Sequence, residues 1–224
     1  MESKRLAGEE AAGYVENNMI VGLGTGSTIY YTLLKLADLI KNHGLNIRGI
    51  PTSKETEKIA LELGIPLLAF KEAESIDLAI DGTDASDQHL NMIKGGGGAL
   101  LREKIVAHAA KRFIVAADRS KLVRNLASVK LPVEVVPFGM EMTKKHLQAL
   151  GCTTEVRMKG DSSFVTDNGN HIIDCSFKEI NNPGELEKEI NLIPGAVENG
   201  LFVGMAERLI TVNDKSKIVY VKAK

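Results

Sequence analysis

The chain has no tryptophan, and aromatic residues make up only 4% of its 224 positions. That scarcity removes the stacking platform on which single-stranded nucleic acid is usually held. Cysteine is almost as rare. Cys152 and Cys175 are too few and too far apart for a disulfide framework or a thiolate zinc site. They read as small buried hydrophobes. Neither sign of charge is in excess: 28 basic residues face 29 acidic ones, for a net charge of -1. A basic surface for nucleic acid or for a membrane is therefore not expected. No stretch approaches the ~20 apolar residues of a membrane span. Residues 1–18, MESKRLAGEEAAGYVENN, lack the uninterrupted apolar run of a secretory signal. A cytoplasmic location is expected.

Hydrophobic residues supply 44% of the chain and charged residues 25%, the balance of a globular protein. At this length a core forms without disulfides or a structural metal. Residues 3–16 have a helical pattern and residues 19–23 an apolar strand pattern. A Gly-rich turn follows. Ile29, Leu33, Leu36, Ala37 and Ile40 then form a helical stripe closed by Gly44. Further strands are expected at 47–50, 65–70, 76–80 and 113–117. Thr52 and Glu55 have the spacing of a capping box for the helix that stops at Gly64. Strands alternating with helices predict βαβ units in a mostly parallel, doubly wound sheet.

The texture changes near residue 131. The segment LPVEVVP reads as a strand and is followed by a helix to Leu150. Two apolar runs, 164–165 and 172–177, flank the turn signal Asp167-Asn168-Gly169-Asn170. A helix with Pro183 at its start runs to about Leu192. Two domains are expected. The α/β domain would hold residues 1–130 and 206–224, with strands at 209–212 and 218–221 returning to its sheet. The smaller α+β domain would hold residues 131–205.

Ligands of open α/β sheets bind beyond the carboxyl ends of the strands. Four polar motifs fall at such places. The first is Gly22-Leu23-Gly24-Thr25-Gly26-Ser27-Thr28, where free N–H groups at a helix start suit a phosphate. It matches neither G-x-G-x-x-G nor the P-loop pattern, so a small phosphate ester fits better than a nucleotide. The second is Asp81-Gly82-Thr83-Asp84, whose paired carboxylates suit sugar hydroxyls or a metal, or serve only as turn and cap residues. The third is Lys94-Gly95-Gly96-Gly97-Gly98, leading to Glu103 in the next helix. Ordering four glycines is entropically costly, which argues against a mere spacer. Glu103, between Arg102 and Lys104, reads on its own as a solvated charge. The fourth is Asp118-Arg119-Ser120-Lys121, with Lys121 in reach of a phosphate as a point charge. Together they suit a small phosphorylated polyol and offer no Ser–His–Asp or Cys–His set for acyl transfer.

The segments GLGTGST, IDGTDASD, MIKGGGGALLREKI, ADRSK, LPVEVVP, VTDNGN and IPGAVENGLF, in this order, span nearly the whole chain. In them the sequence resembles ribose-5-phosphate isomerase of the A type. The resemblance implies a Rossmann-like, mostly parallel sheet with helices on both faces and a smaller α+β domain. It implies a homodimer or homotetramer, no cofactor and no metal, and a place in pentose phosphate metabolism. Its substrates would be D-ribose 5-phosphate and D-ribulose 5-phosphate. Thr25, Gly26, Ser27 and Thr28 correspond to one substrate-binding loop, and Asp81, Gly82, Thr83 and Asp84 to a second. Lys94, Gly95, Gly96 and Gly97 form the third, and Lys121 is a further binding residue. Glu103 stands at the position of the catalytic proton acceptor. Three positions depart from the common family pattern: Thr83 where Ala is frequent, Ala85 where Glu is common, and Gly98 where Ala is common.

The chemistry accounts for these residue types. The proton beside an aldehyde is weakly acidic, so a base must remove it while the enediolate oxygen is stabilised. One carboxylate, Glu103, can take the proton from C2 and return it at C1. Lys94, Asp81 and Asp84 would handle the oxygens, and Asp81 is the candidate for ring opening. A non-catalytic sugar-phosphate sensor is the alternative; it would leave Lys94 and Glu103 without work. A sugar kinase would need ATP-loop motifs that the sequence lacks.

Overall fold

A computed structural model describes residues 1–213 and 217–222. In chain order the helices and strands are α1 (Glu2–Ala12), β1 (Ile20–Leu23), α2 (Ser27–His43), β2 (Arg48–Pro51), α3 (Lys54–Glu62), β3 (Leu78–Asp81), β4 (Ala85–Ser86), β5 (Met92–Ile93), α4 (Leu100–Ala109), β6 (Phe113–Ala116), β7 (Leu131–Val135), α5 (Met140–Ala149), β8 (Thr153–Val156), β9 (Met158–Lys159), β10 (Ser162–Ser163), β11 (His171–Ser176), α6 (Pro183–Asn191), β12 (Ala196–Asn199), β13 (Leu201–Phe202), β14 (Arg208–Val212) and β15 (Ile218–Val221).

Six strands form the main sheet in the order β15-β14-β6-β3-β1-β2. All neighbours are parallel except the edge pair β14 and β15. Every residue of β3 and β6 is buried, as in a parallel sheet covered on both faces. Leu78 and Ile80 pack with Ile29, Leu33 and Leu36 of α2 on one face. Ala79, Phe113 and Val115 pack with Val106 and Ala107 of α4 on the other. The mostly parallel α/β architecture expected from the sequence is the one observed. The strands expected at 209–212 and 218–221 do return to this sheet; residues 214–216 and 223–224, within the expected domain span, lie outside the described residues.

A second sheet has the antiparallel order β12-β7-β11-β8. Its chain order, β7-α5-β8-β11-α6-β12, is that of a split βαβ unit. A three-stranded ladder, β13-β5-β4, ties the two regions together, since β5 belongs to the first and β13 follows β12. None of the described helices is long and apolar enough to cross a membrane.

Several local expectations are corrected. The helix read over 3–16 ends at Ala12. The strand expected at 65–70 is reduced to one bridge, Leu67 to Gly49, and a 3-10 turn at Phe70–Glu72; Pro66 has no N–H to extend the ladder. Ser53, not Thr52, caps α3, accepting from Thr56 N at 3.0 Å. Residues 164–165 do not join a ladder with β11. The hairpin there is β9–β10, and Val165 is left exposed.

Candidate active site

The loop after β1 approaches the end of β3 very closely. A Cβ on Gly24 would lie 2.2 Å from Asp81 Oδ1, so only glycine fits there. Thr25 N donates to that same oxygen at 3.0 Å. The Thr25 hydroxyl turns away from the opening and bonds the hydroxyls of Thr52, Ser53 and Thr56 at 2.8, 2.9 and 3.1 Å. This knot joins the loop to the start of α3. Gly26, at φ 115, caps α2, and Ser27 and Thr28 open its first turn. Backbone N–H groups in a first turn have no intrahelical acceptor and suit an anion.

Asp81 is 3% exposed and also accepts from Gly82 N at 2.7 Å. Thr83 has a structural use: its hydroxyl donates to the carbonyls of Ala85 at 2.7 Å and Ile93 at 3.0 Å, bracing the β4–β5 turn. Ala85 is fully buried in that ladder. Asp84 accepts from Gly96 N at 2.7 Å, which links the second motif to the glycine loop. Gly98, at φ 84, lies against Phe164; a Cβ there would meet the ring at 2.5 Å.

Lys94 stands at the centre. Its Nζ lies 2.6 Å from Gly82 O, 3.1 Å from Asp81 Oδ2 and 3.3 Å from Glu103 Oε1. The Phe202 ring closes its far side, with the centroid at 5.5 Å. Glu103 comes from the first turn of α4 and is buried, unlike the solvated charge its neighbours suggest. Those neighbours face elsewhere. Arg102 donates to Asn168 Oδ1 and Asp167 O, and Lys104 pairs with Glu187 and Glu198.

Burial moves the carboxylates upward. Glu103 rises from 4.5 to about 8 through desolvation, with Lys94 opposing and Asp81 adding to the rise. Desolvation raises Asp81 as well, against the pull of Lys94. Desolvation would lower Lys94, but Asp81 and then Glu103 outweigh it and hold the ammonium charged. The three groups titrate as one unit. Glu103 Oε2 has no hydrogen-bond partner among the described residues.

A cleft of about 150 Å³ opens onto this cluster. Residues from all four sequence motifs line it, including Thr25, Gly26, Ser27, Thr28 and Glu103. Gly82, Thr83, Asp84, Lys94, Gly95, Gly96, Gly97 and Lys121 also reach it, and Asp81 sits just beneath, against Lys94. Lys4 of α1 was not singled out by sequence reasoning, yet it lines the same opening and donates to Ser27 Oγ at 3.0 Å. Nothing in its local pattern marks it, because α1 meets α2 only in three dimensions. Asp118 is held down to about 2, mainly by the Ser3 hydroxyl at 2.5 Å, and it caps the turn that presents Lys121.

The family model of ribose 5-phosphate isomerase A (phosphoriboisomerase A) matches residues 48–216. Ribose-5-phosphate isomerase A of Bacillus mycoides (strain KBAB4) is 51% identical over 211 residues, 94% of this chain and 95% of its own. Ribose-5-phosphate isomerase A 1 of Oceanobacillus iheyensis is 47% identical over 98% of this chain and 97% of its own. Among solved structures, ribose 5-phosphate isomerase from Plasmodium falciparum superposes with a TM-score of 0.95 at 38% identity, covering 99% of this chain and 98% of that one. A D-ribose-5-phosphate isomerase in complex with phospho-erythronic acid gives the same TM-score and identity over 98% and 97%. Sequence and fold agree, and the chain belongs to the ribose 5-phosphate isomerase A family.

Proposed function

We propose that this isomerase interconverts D-ribose 5-phosphate and D-ribulose 5-phosphate in the cleft by proton transfer through an enediolate, with Glu103 as the base. The observation that carries the reading is the Glu103 carboxylate. One oxygen faces the Lys94 ammonium and the other is buried with its lone pairs unspent. A raised carboxylate matched to near-neutral pH is an efficient proton carrier. Lys94 supplies fixed positive charge where the enediolate oxygen becomes negative. Asp81 and Asp84 take the sugar hydroxyls, and Asp81 is the group assigned to ring opening.

The phosphate goes to the first turn of α2, with Gly26, Ser27 and Thr28 giving donors and Lys4 and Lys121 giving charge. Thr25 shapes this loop rather than donating to the phosphate, since its N–H is held by Asp81 and its hydroxyl by Thr52, Ser53 and Thr56. No metal or cofactor is assigned a role. Residues 1–130 with 206–224 are read as the domain carrying these groups, and residues 131–205 as the smaller one. The free thiols of Cys152 and Cys175 suit a reducing cytoplasm. Exposed apolar side chains such as Phe138 and Leu192 give surface for a homodimer or homotetramer.

The test is an assay with ribose 5-phosphate alone. Formation of ribulose 5-phosphate without ATP supports the reading. Binding without conversion points to a sensor, and a strict need for ATP points to a kinase.

A further inference from the structure

Arg157 follows β8 in the four-stranded region and reaches the glycine loop of the cleft. Its Nη1 donates to the carbonyls of Gly95 at 2.8 Å and Gly96 at 3.1 Å. Its Nε and Nη2 close a two-pronged pair with the Asp174 carboxylate at 2.9 and 2.5 Å. The side chains of this pair are only 16% and 14% exposed. A guanidinium carries its donors in a rigid plane, so holding one edge aims the other. Lysine would bring the charge without the aim.

The two carbonyls belong to peptide units of the glycine loop that lines the cleft. None of the described peptide bonds is cis. In a trans unit the C=O and N–H point in opposite directions. The Gly95 carbonyl shares its unit with Gly96 N–H, which holds Asp84 at 2.7 Å. The Gly96 carbonyl shares its unit with Gly97 N–H, which has no acceptor among the described residues and belongs to a cleft-lining residue. A cation on the carbonyl polarises the unit and makes its N–H a stronger donor. The turn closes on itself only through Gly98 N, which donates to Gly95 O at 2.9 Å; glycines are otherwise conformationally free, so the outside tie from Arg157 adds to what holds it.

We propose that Arg157, braced by Asp174, is a positioning residue of the isomerase: it fixes the turn through Gly95, Gly96 and Gly97 so that Asp84 and the Gly97 N–H face the oxygens of the reacting carbons. This rests on the reading of the cleft given above. The catalytic loop is thus aimed from the four-stranded region, through two residues that touch no substrate.

The wild-type protein is assayed first with ribose 5-phosphate; no turnover there fails the reading of the cleft, whatever Arg157 does. With an active wild type, Arg157→Lys and Asp174→Asn are each expected to lower kcat at least about tenfold, the scale of a misaimed oxyanion donor. KM and the inhibition constant of inorganic phosphate should stay within about threefold, because the phosphate end is untouched. The thermal midpoint should move by only a few degrees. Combining the two changes should cost little more than either alone, since the pair acts as one unit. An unchanged kcat in a folded Arg157→Lys protein overturns the proposal. So does a fall in kcat matched by equal losses of phosphate affinity and thermal midpoint, which would mean general loosening. If Arg157→Lys does not fold, Asp174→Asn keeps the side-chain shape and decides by the same two criteria.

Discussion

The Lys94 ammonium sits 3.3 Å from Glu103 Oε1, while Oε2 of the same carboxylate is buried without a partner. One oxygen is thereby anchored and the other is left to carry a proton. Glu103→Gln keeps the anchoring shape and removes the base. Turnover is expected to fall at least about a hundredfold, within the range for loss of a general base. Ribose 5-phosphate binding, followed by calorimetry, should remain measurable. A variant keeping a tenth or more of wild-type turnover excludes Glu103 as the base.

The same burial predicts a pH signature. The ionised carboxylate is the working form, and Glu103 lies at about 8 in the free protein. The acid limb of kcat/KM should therefore fall well above 4.5 and towards 8, as a property of Glu103, Lys94 and Asp81 together. Stability should show the opposite trend. Glu103 binds its proton more tightly in the folded state, so between 4.5 and about 8 the native protein holds more protons than the unfolded chain. Its contribution is intact at the acid end of that window and is lost as pH rises through it. Each pKa unit of difference corresponds to about 1.4 kcal/mol. Glu103→Gln escapes this loss. The midpoint of the variant minus that of the wild type should grow by several degrees between about pH 5 and about pH 9. A constant or shrinking difference in melting scans would refute the raised value.

Lys121 lines the cleft and is proposed to hold the phosphate, whereas Lys94 is paired with Glu103. A phosphate contact acts alike in the ground state and the transition state, so Lys121→Ala should raise KM and leave kcat near wild type. Loss of one charge-assisted hydrogen bond, about 1.5–3 kcal/mol, corresponds to a rise of roughly ten- to a hundredfold. Lys4→Ala should behave in the same direction. Steady-state kinetics decide the point: a collapse of kcat at constant KM would move Lys121 into the chemistry.

The parts of the fold legible in the sequence were those governed by local rules. Gly44 ends α2 in the left-handed conformation, and Pro183 stands at the first turn of α6, as read. The strand-end rule gathered Asp81, Lys121 and the α2 loop because a parallel sheet brings strand ends to one edge; Lys94 follows β5 of the antiparallel ladder instead. Edge pairing was harder to read. Residues 65–70 look as apolar as β3, but Pro66 and the edge position leave one bridge. The motif reading could place Glu103 at the site, but the burial of its side chain depends on packing against Lys94 and Asp81. Arg157 and Lys4 carry no signal at all along the chain. Lys4 reaches the cleft from α1 and Arg157 from the link between β8 and β9, and a lone basic residue in either place looks like any solvated one.

Hydrogen can travel between C2 and C1 as a hydride or as a proton. A hydride shift calls for a metal polarising both oxygens, held by histidines and carboxylates. The five histidines, His43, His89, His108, His146 and His171, show no ligand spacing, and His89, between the second and third motifs, is exposed and beside Gln88. No cluster of three His, Cys, Asp or Glu side chains suited to a metal occurs among the described residues. The oxygens of Asp81 already face Thr25 N, Gly82 N and Lys94. Glu103 beside a cation suits an enediolate instead. A proton held on a carboxylate can exchange with water before its return, whereas a migrating hydride cannot. Turnover in D₂O is therefore expected to place solvent deuterium at C1 of ribulose 5-phosphate, read by NMR or mass spectrometry at low conversion. Partial incorporation suffices, since a carboxylate shielded in the cleft returns some of the original proton. Activity should also survive prolonged treatment with EDTA. Absence of deuterium together with activity lost to EDTA and restored by one divalent ion would overturn proton transfer by Glu103.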